Sequence, residues 1–173
     1  KQRLQETLYL VGVFTEGHGL VKGVIRGYKK IAGLYVPSQV KVSYKSRLKE
    51  HLGTLSLEVT EQNLGAIIAN RHKTMIINSV LFLLSVTLNE FEVQSELYHA
   101  TEHLFHAIKS SNDICDLLII YAQLEMIILK AAGYGLNLKE CAAGGDNTTL
   151  YYMSPKSGCA VSREHGAEYR DKL

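Results

Sequence analysis

Cysteine is scarce in this chain of 173 residues: Cys115, Cys141 and Cys159 are the only three, an odd number without tight spacing. Such a set does not make the disulfide framework of a small secreted scaffold. Long apolar runs are missing too. The longest, 75–88, is too short to span a bilayer and is interrupted by Asn78, Ser79, Ser85 and Thr87. No charged-then-apolar leader opens the chain. There is no internal repeat and no low-complexity segment. Neither a phosphate-cradling G-x-x-x-x-G-K-[ST] loop nor a dinucleotide fingerprint occurs, which argues against a nucleotide-driven motor. No Ser-His-Asp arrangement suggests itself. From these absences we expect a soluble, cytoplasmic protein without membrane contact.

The residues that are present fit an ordinary globular protein, with 46% apolar and 21% charged. That composition excludes a disordered or collagen-like chain. The length suits one domain or two small ones, with a core that needs no staples. The net charge of +2 hides an asymmetry. Residues 1–50 carry ten Lys/Arg and three Asp/Glu, a net of +7, whereas 51–173 carry nine and fourteen, a net of −5. A basic front is suited to polyanions.

The front reads as strands. Residues 8–14 are β-branched and aromatic, Gly17 and Gly19 suit a turn, and 20–26 resume the strand pattern. Within that second run, Lys22, Val24 and Arg26 share one face, and Val21 and Ile25 the other. Further on, Val40, Val42 and Tyr44 alternate with Lys41, Ser43 and Lys45, and Arg47 and Lys49 continue the polar parity. This is a half-buried strand with one cationic face. Leu55, Leu57 and Val59 make a last strand after Gly53. Short strands with glycine turns predict a small closed barrel.

After Thr60 the period changes. Thr60 is placed as a helix N-cap, with Gln62 and Asn63 in the first turn. Residues 70–88 read as a central, apolar helix and 92–109 as an amphipathic one, with Val93, Leu97, Ala100, Leu104 and Ile108 as its stripe. Asp113 caps a third, nearly all-apolar helix in which only a narrow stripe is wet. Lys130 and Gly133 mark its end. From 136 onward helical period is lost, and 150–153 forms one short strand.

Three groups could carry chemistry. His99-Ala-Thr-Glu102-His103 matches the H-x-x-E-H zinc-protease pattern, with His106 one turn on. Its histidines point away from the apolar stripe, and no acidic third ligand is identifiable, so a solvated helix face is the simpler reading. Cys141 and Cys159 stand where a zinc ribbon would have two C-x-x-C knuckles, but the partner positions hold Gly144 and Ser162. Two thiolates do not close a tetrahedral site, so we expect no metal and no other cofactor. Cys115 reads as a small core residue. The third group is the basic set Lys22, Arg26, Lys29, Lys30, Lys41, Lys45, Arg47 and Lys49. Its only acidic company is Glu6, Glu16, Glu50 and Glu58. A one-signed surface of this kind targets phosphates. Tyr28, Tyr35 and Tyr44 lie among these cations and are of the kind that stacks on bases, although Tyr44 has core parity. Lysines on a solvated sheet face or edge are the plain alternative.

These segments together resemble a known family. Phe14-Thr-Glu-Gly-His-Gly-Leu-Val-Lys-Gly-Val-Ile-Arg-Gly27 resembles the second and third strands of the bacterial recombination mediator family RecO. Leu48-Lys-Glu-His-Leu-Gly-Thr-Leu55 is similar to its later strand pair. Gly133-Tyr-Gly-Leu-Asn-Leu-Lys-Glu-Cys141 and Ser154-Pro-Lys-Ser-Gly-Cys-Ala-Val-Ser162 resemble the two sides of its zinc-ribbon-like segment. Against that pattern, the chain holds little of the first strand before Lys1. The basic loop at Lys30-Ile31 is short, and the chain stops at Leu173 ahead of the last helices.

The resemblance implies an α+β chain, with an N-terminal OB-fold β-barrel over 1–60 and an all-α helical domain over 61–173. The helical domain would include a zinc-less ribbon-like segment, 136–173. It implies binding of single- and double-stranded DNA, annealing without ATP, and partnership with RecR, with the tail of single-stranded-DNA-binding protein (SSB) and, indirectly, with RecA. It also implies a nucleoid-associated location and no catalytic residues. Lys156 and Arg163 would extend the cationic track. Two competing readings are an adaptor whose barrel binds only protein, and a metal-dependent hydrolase built on His99, Glu102 and His103.

Overall fold

The computed structural model describes residues 2–4, 7–27, 38–46, 52–61 and 70–170. The chain divides into two compact units, Lys1–Leu124 and Glu125–Leu173. Its class is mixed α+β.

In the first unit, strands β1 (Gln2–Arg3), β2 (Leu8–Thr15), β3 (Gly19–Arg26), β4 (Gln39–Lys45) and β5 (Gly53–Glu61) form one sheet in the order β1-β2-β3-β5-β4. All neighbours are antiparallel except β3 and β5, which pair in parallel at Gly23↔Gly53 and Val24↔Thr54. Period-two alternation sends Tyr9, Val11, Val21, Ile25 and Leu55 inward, where Val13, Val40, Val42, Tyr44, Leu57 and Val59 pack on them. Among the described residues every member of this cluster comes from the sheet. Gly53 lets the Tyr44 ring lie close against β5: a Cβ there would run into it. Among the described residues no pairing joins β1 to β4, so the expected barrel closure is not part of the described sheet.

Helix α1 (Arg71–Thr87) starts at Asn70, whose side chain accepts the N–H groups of His72 and Lys73 at 2.9 and 3.3 Å. Thr60, expected as a helix cap, lies instead in β5, which pairs with β4 as far as Gln39↔Glu61, and Gln62 and Asn63 of the expected first turn lie outside the described residues. The expectation of an all-round buried helix also needs correction. Ile76, Ile77, Val80 and Leu84 are buried, while Met75, Phe82 and Val86 on other faces are more than half exposed. The third helix, α3 (Ile114–Leu129), likewise exposes Leu118, Ile119, Met126 and Leu129. Asp113 caps it as expected, accepting from the N–H groups of Cys115 and Asp116.

Between them lies α2 (Ser95–Ser110), which buries Leu97, Thr101, Leu104, Ala107 and Ile108. Val93 falls outside that helix and is exposed. Residues 88–94 lie across the sheet instead. Glu90 bridges Leu20 in parallel, and the Phe91 N–H donates to Leu20 O at 3.0 Å. This strap occupies the half of β3 that β5 leaves free.

In the second unit, β6 (Asn137–Cys141), β7 (Leu150–Met153) and β8 (Cys159–Ser162) form a sheet in the order β6-β8-β7. The central strand buries Ala160, Val161 and Ser162. Gly133, at φ 84°, ends the helical path, as its sequence position predicts. No helix among the described residues is long and apolar enough to cross a membrane.

Candidate nucleic-acid interface

The outward faces of β3, β5 and β4 carry the candidate residues that the structure describes in the first unit. Thr54 of β5 is the common neighbour of Val24 and Lys45, so Arg26 of β3 and Lys45 and Lys41 of β4 project from the same side of the sheet, with β5 between them. All three side chains are exposed. Among the described residues none of them has a carboxylate within ion-pair distance. Between the cations stand Thr54 and Ser56, small hydroxyl side chains that leave room for a phosphate backbone. The parity read from the sequence therefore holds on both strands.

Two acidic residues limit the cationic face. Glu58 lies opposite Lys41 in the β4–β5 register, which tempers that lysine's charge. Glu90, on the strap, pairs with Lys22 at 3.2 Å. Lys22 is half-buried and already has a counter-charge, so it contributes less than its neighbours. Nothing local in the sequence announces Glu90 as a partner, since it lies 68 residues further along the chain.

Lys29, Lys30, Arg47 and Lys49 lie outside the described residues, as do Tyr28 and Tyr35. Tyr44 faces the inner side of the sheet and meets the Phe91 ring edge-on, with centroids 5.9 Å apart. It is a packing residue. Lys156 and Arg163 are exposed in the second unit. The Arg163 guanidinium lies 5.1 Å from the centroid of the Tyr151 ring. Tyr151 went unnoticed in the sequence, although the alternation over 150–153 already turns it outward with Met153.

The histidine motif makes polar contacts with the sheet. His99 Nε2 lies 3.3 Å from Glu16 in the β2–β3 turn, and its Nδ1 lies 3.9 Å from Glu102. Its two nitrogens therefore face two separate carboxylates. Glu102 also accepts from Tyr98 Oη and Gln39 Nε2, each at 3.3 Å. Burial raises the Tyr98 pKa, and the charge of Glu102 adds to the effect. This polar cluster ties α2 to the sheet. Among the described residues no group of three or more His, Cys, Asp or Glu is placed to hold a metal.

In the Cys141 loop backbone N–H groups converge on the sulfur. Cys141 Sγ accepts the Ser162 N–H at 3.2 Å. That bond, with help from the N–H groups of Ala143 and Gly145, holds the thiol well below its usual range, at about 7. Ser162 Oγ is 3.0 Å from His165 Nδ1.

Comparison with known proteins adds one finding to this geometry. The family described as "Recombination protein O C terminal" matches residues 69–173. The whole chain is 33% identical over 175 residues to "DNA repair protein RecO" of Rickettsia canadensis (strain McKiel), covering 100% of this chain and 71% of that protein. It is 35% identical to the protein of the same name from Ruegeria sp. (strain TM1040), covering 99% and 71%. To that of Rhodopseudomonas palustris (strain BisB18) it is 34% identical, covering 99% and 67%.

Proposed function

Because the chain belongs to the RecO family of DNA repair proteins, we propose that it is a DNA-binding recombination mediator that grips phosphates on the outer face of its N-terminal sheet. The observation that carries this reading is the set Arg26, Lys41 and Lys45, exposed on one face of the sheet on β3 and β4, either side of β5, without ion-pair partners among the described residues. Cations of this kind release condensed counterions when they meet DNA, so affinity falls steeply with salt. Holding two strands at one time lowers their mutual repulsion, which promotes annealing without ATP.

The sheet is the core of an OB-fold barrel in this proposal. Its strand order, the parallel β3–β5 pairing and its apolar inner face support that reading, and such barrels are partly open. Residues 1–60 act as the nucleic-acid module, extended by Lys29, Lys30, Arg47 and Lys49. Residues 61–173 act as the helical, partner-binding module, with 136–173 as its ribbon-like part and Lys156 and Arg163 as further DNA contacts. RecR and the SSB tail are the partners, RecA is loaded indirectly onto SSB-coated DNA, and the protein works in the cytoplasm on the nucleoid. The protein has no catalytic residues in this reading.

Titration of a fluorescent oligonucleotide at several salt concentrations tests the proposal. In the Lys41→Glu/Lys45→Glu protein, affinity should drop and the log–log salt slope should shrink by about 2 on duplex DNA. An unchanged slope would transfer the sheet to the protein-only adaptor reading.

A further inference from the structure

We propose that the outer face of β7 holds a stacking site for an unpaired nucleobase, made from the Tyr151 ring and the Arg163 guanidinium. The inference rests on the DNA-binding reading and adds to it a preference for single strands, located in the second unit.

Tyr151 is 67% exposed on the outer face of β7. Its pose is supported from beneath. The neighbouring Tyr152 ring meets it edge-on, with centroids 4.9 Å apart and planes at 78°. Tyr152 in turn sits over Gly166, where a Cβ would collide with the ring. Arg163 follows the buried Ser162 at the end of β8, directly across from β7 at Leu150↔Ser162. Strand β7 thus carries the ring, and the helical turn that begins at Arg163, straight after β8, carries the guanidinium; among the described residues Arg163 has no carboxylate within ion-pair distance. Met153 adds an exposed thioether two residues along the same face.

This pairing suits one nucleotide. The base stacks on the ring or on the guanidinium plane, and the guanidinium N–H groups donate to the adjacent phosphate. A duplex keeps its base faces covered by their neighbours, so it offers nothing to the ring. Residues 125–173 carry six Lys/Arg and six Asp/Glu, so this unit has no net field to attract DNA. Stacking, not charge, must supply its contribution. The site therefore differs in kind from the cationic row on the first unit's sheet.

The full chain is titrated with three fluorescent ligands of equal length: an oligothymidylate, an abasic single strand and a duplex. Tyr151→Ala should bind oligothymidylate at least about fivefold more weakly. It should match the parent on the abasic strand and the duplex, with an unaltered salt slope. Tyr151→Phe should retain parental affinity, and Arg163→Gln should lose part of it on oligothymidylate. Equal affinity of Tyr151→Ala and parent for oligothymidylate overturns the site. So does an equal loss on all three ligands, which would mark a structural role. The Lys41→Glu/Lys45→Glu protein separates the two ideas, since it should weaken on all three ligands. If the parent binds none of them, the DNA-binding reading and this site fall together.

Discussion

A methyl group would have opposite consequences at Gly17 and Gly19, two residues apart in the β2–β3 turn. Gly19 has φ 66°, and a Cβ there would strike the Glu92 carbonyl of the strap. Backbone strain and collision act together, so Gly19→Ala should destabilise by about 2 kcal/mol or more. Gly17 has open space around it, and Gly17→Ala should stay within about 0.5 kcal/mol of the parent. Urea midpoints compare the two directly, and equal losses would show that the strap is not seated on β3. Cys141 makes a second residue-scale prediction. A thiol lowered to about 7 by the Ser162 N–H is ionised in the fold over a range where the unfolded chain keeps it protonated. Its contribution to stability is therefore absent below about pH 7, grows as pH rises toward about 8.5, and is complete above that. The stability gap between parent and Cys141→Ala should widen from pH 7 to pH 9. A constant gap would mean that the N–H groups do not favour the thiolate.

At the scale of elements, the strap is the feature with the widest reach. It fills the free half of β3, places the Phe91 ring against Tyr44, and holds Phe91 at φ 61°. Its Glu90 also neutralises Lys22. Glu90→Gln should free that lysine, raising DNA affinity and steepening the salt slope by about 0.9 on duplex. Both partners are more than a third exposed, so stability should change by less than about 1 kcal/mol. Calorimetry and oligonucleotide titration on the same samples read both quantities. The strap was not legible in the sequence, where 92–94 read as the first turn of a helix. Long-range pairing with Leu20 overrides that local pattern. The same competition keeps Thr60 in a strand where local pattern reads a helix cap, because β4 pairs with β5 as far as Glu61. Strands β4 and β5 were legible because each has one wet and one dry face, and β2 and β3 because β-branched and aromatic runs flank a glycine turn. The second sheet was legible only at 150–153. Strand β6 is exposed almost throughout, and β8 is four residues long with three consecutive buried positions, so neither has a period-two signal.

Across the whole molecule, charge is segregated along the chain, and the candidate site was only partly readable from that segregation. Parity told which cations point outward. It could not tell that Lys22 has a distant counter-ion or that Lys41 faces Glu58, because register and loop docking decide those. A net field and specific phosphate contacts also make different predictions. Replacing Arg26, Lys41 and Lys45 with Ala removes three contacts, so the salt slope should fall by about 2.7 on duplex and about 2.1 on single strands. Replacing Arg71, Lys139 and Arg170, which are equally exposed, changes the net charge by the same amount. If only the overall field matters, the two triple variants should behave alike. If Arg26, Lys41 and Lys45 touch phosphates, the second variant should keep the parental slope, and the ratio of slope losses on the two DNA forms should follow their different phosphate spacing. All six side chains are exposed, so both proteins should fold with parental stability to within about 0.5 kcal/mol per site, which keeps the comparison one of binding alone.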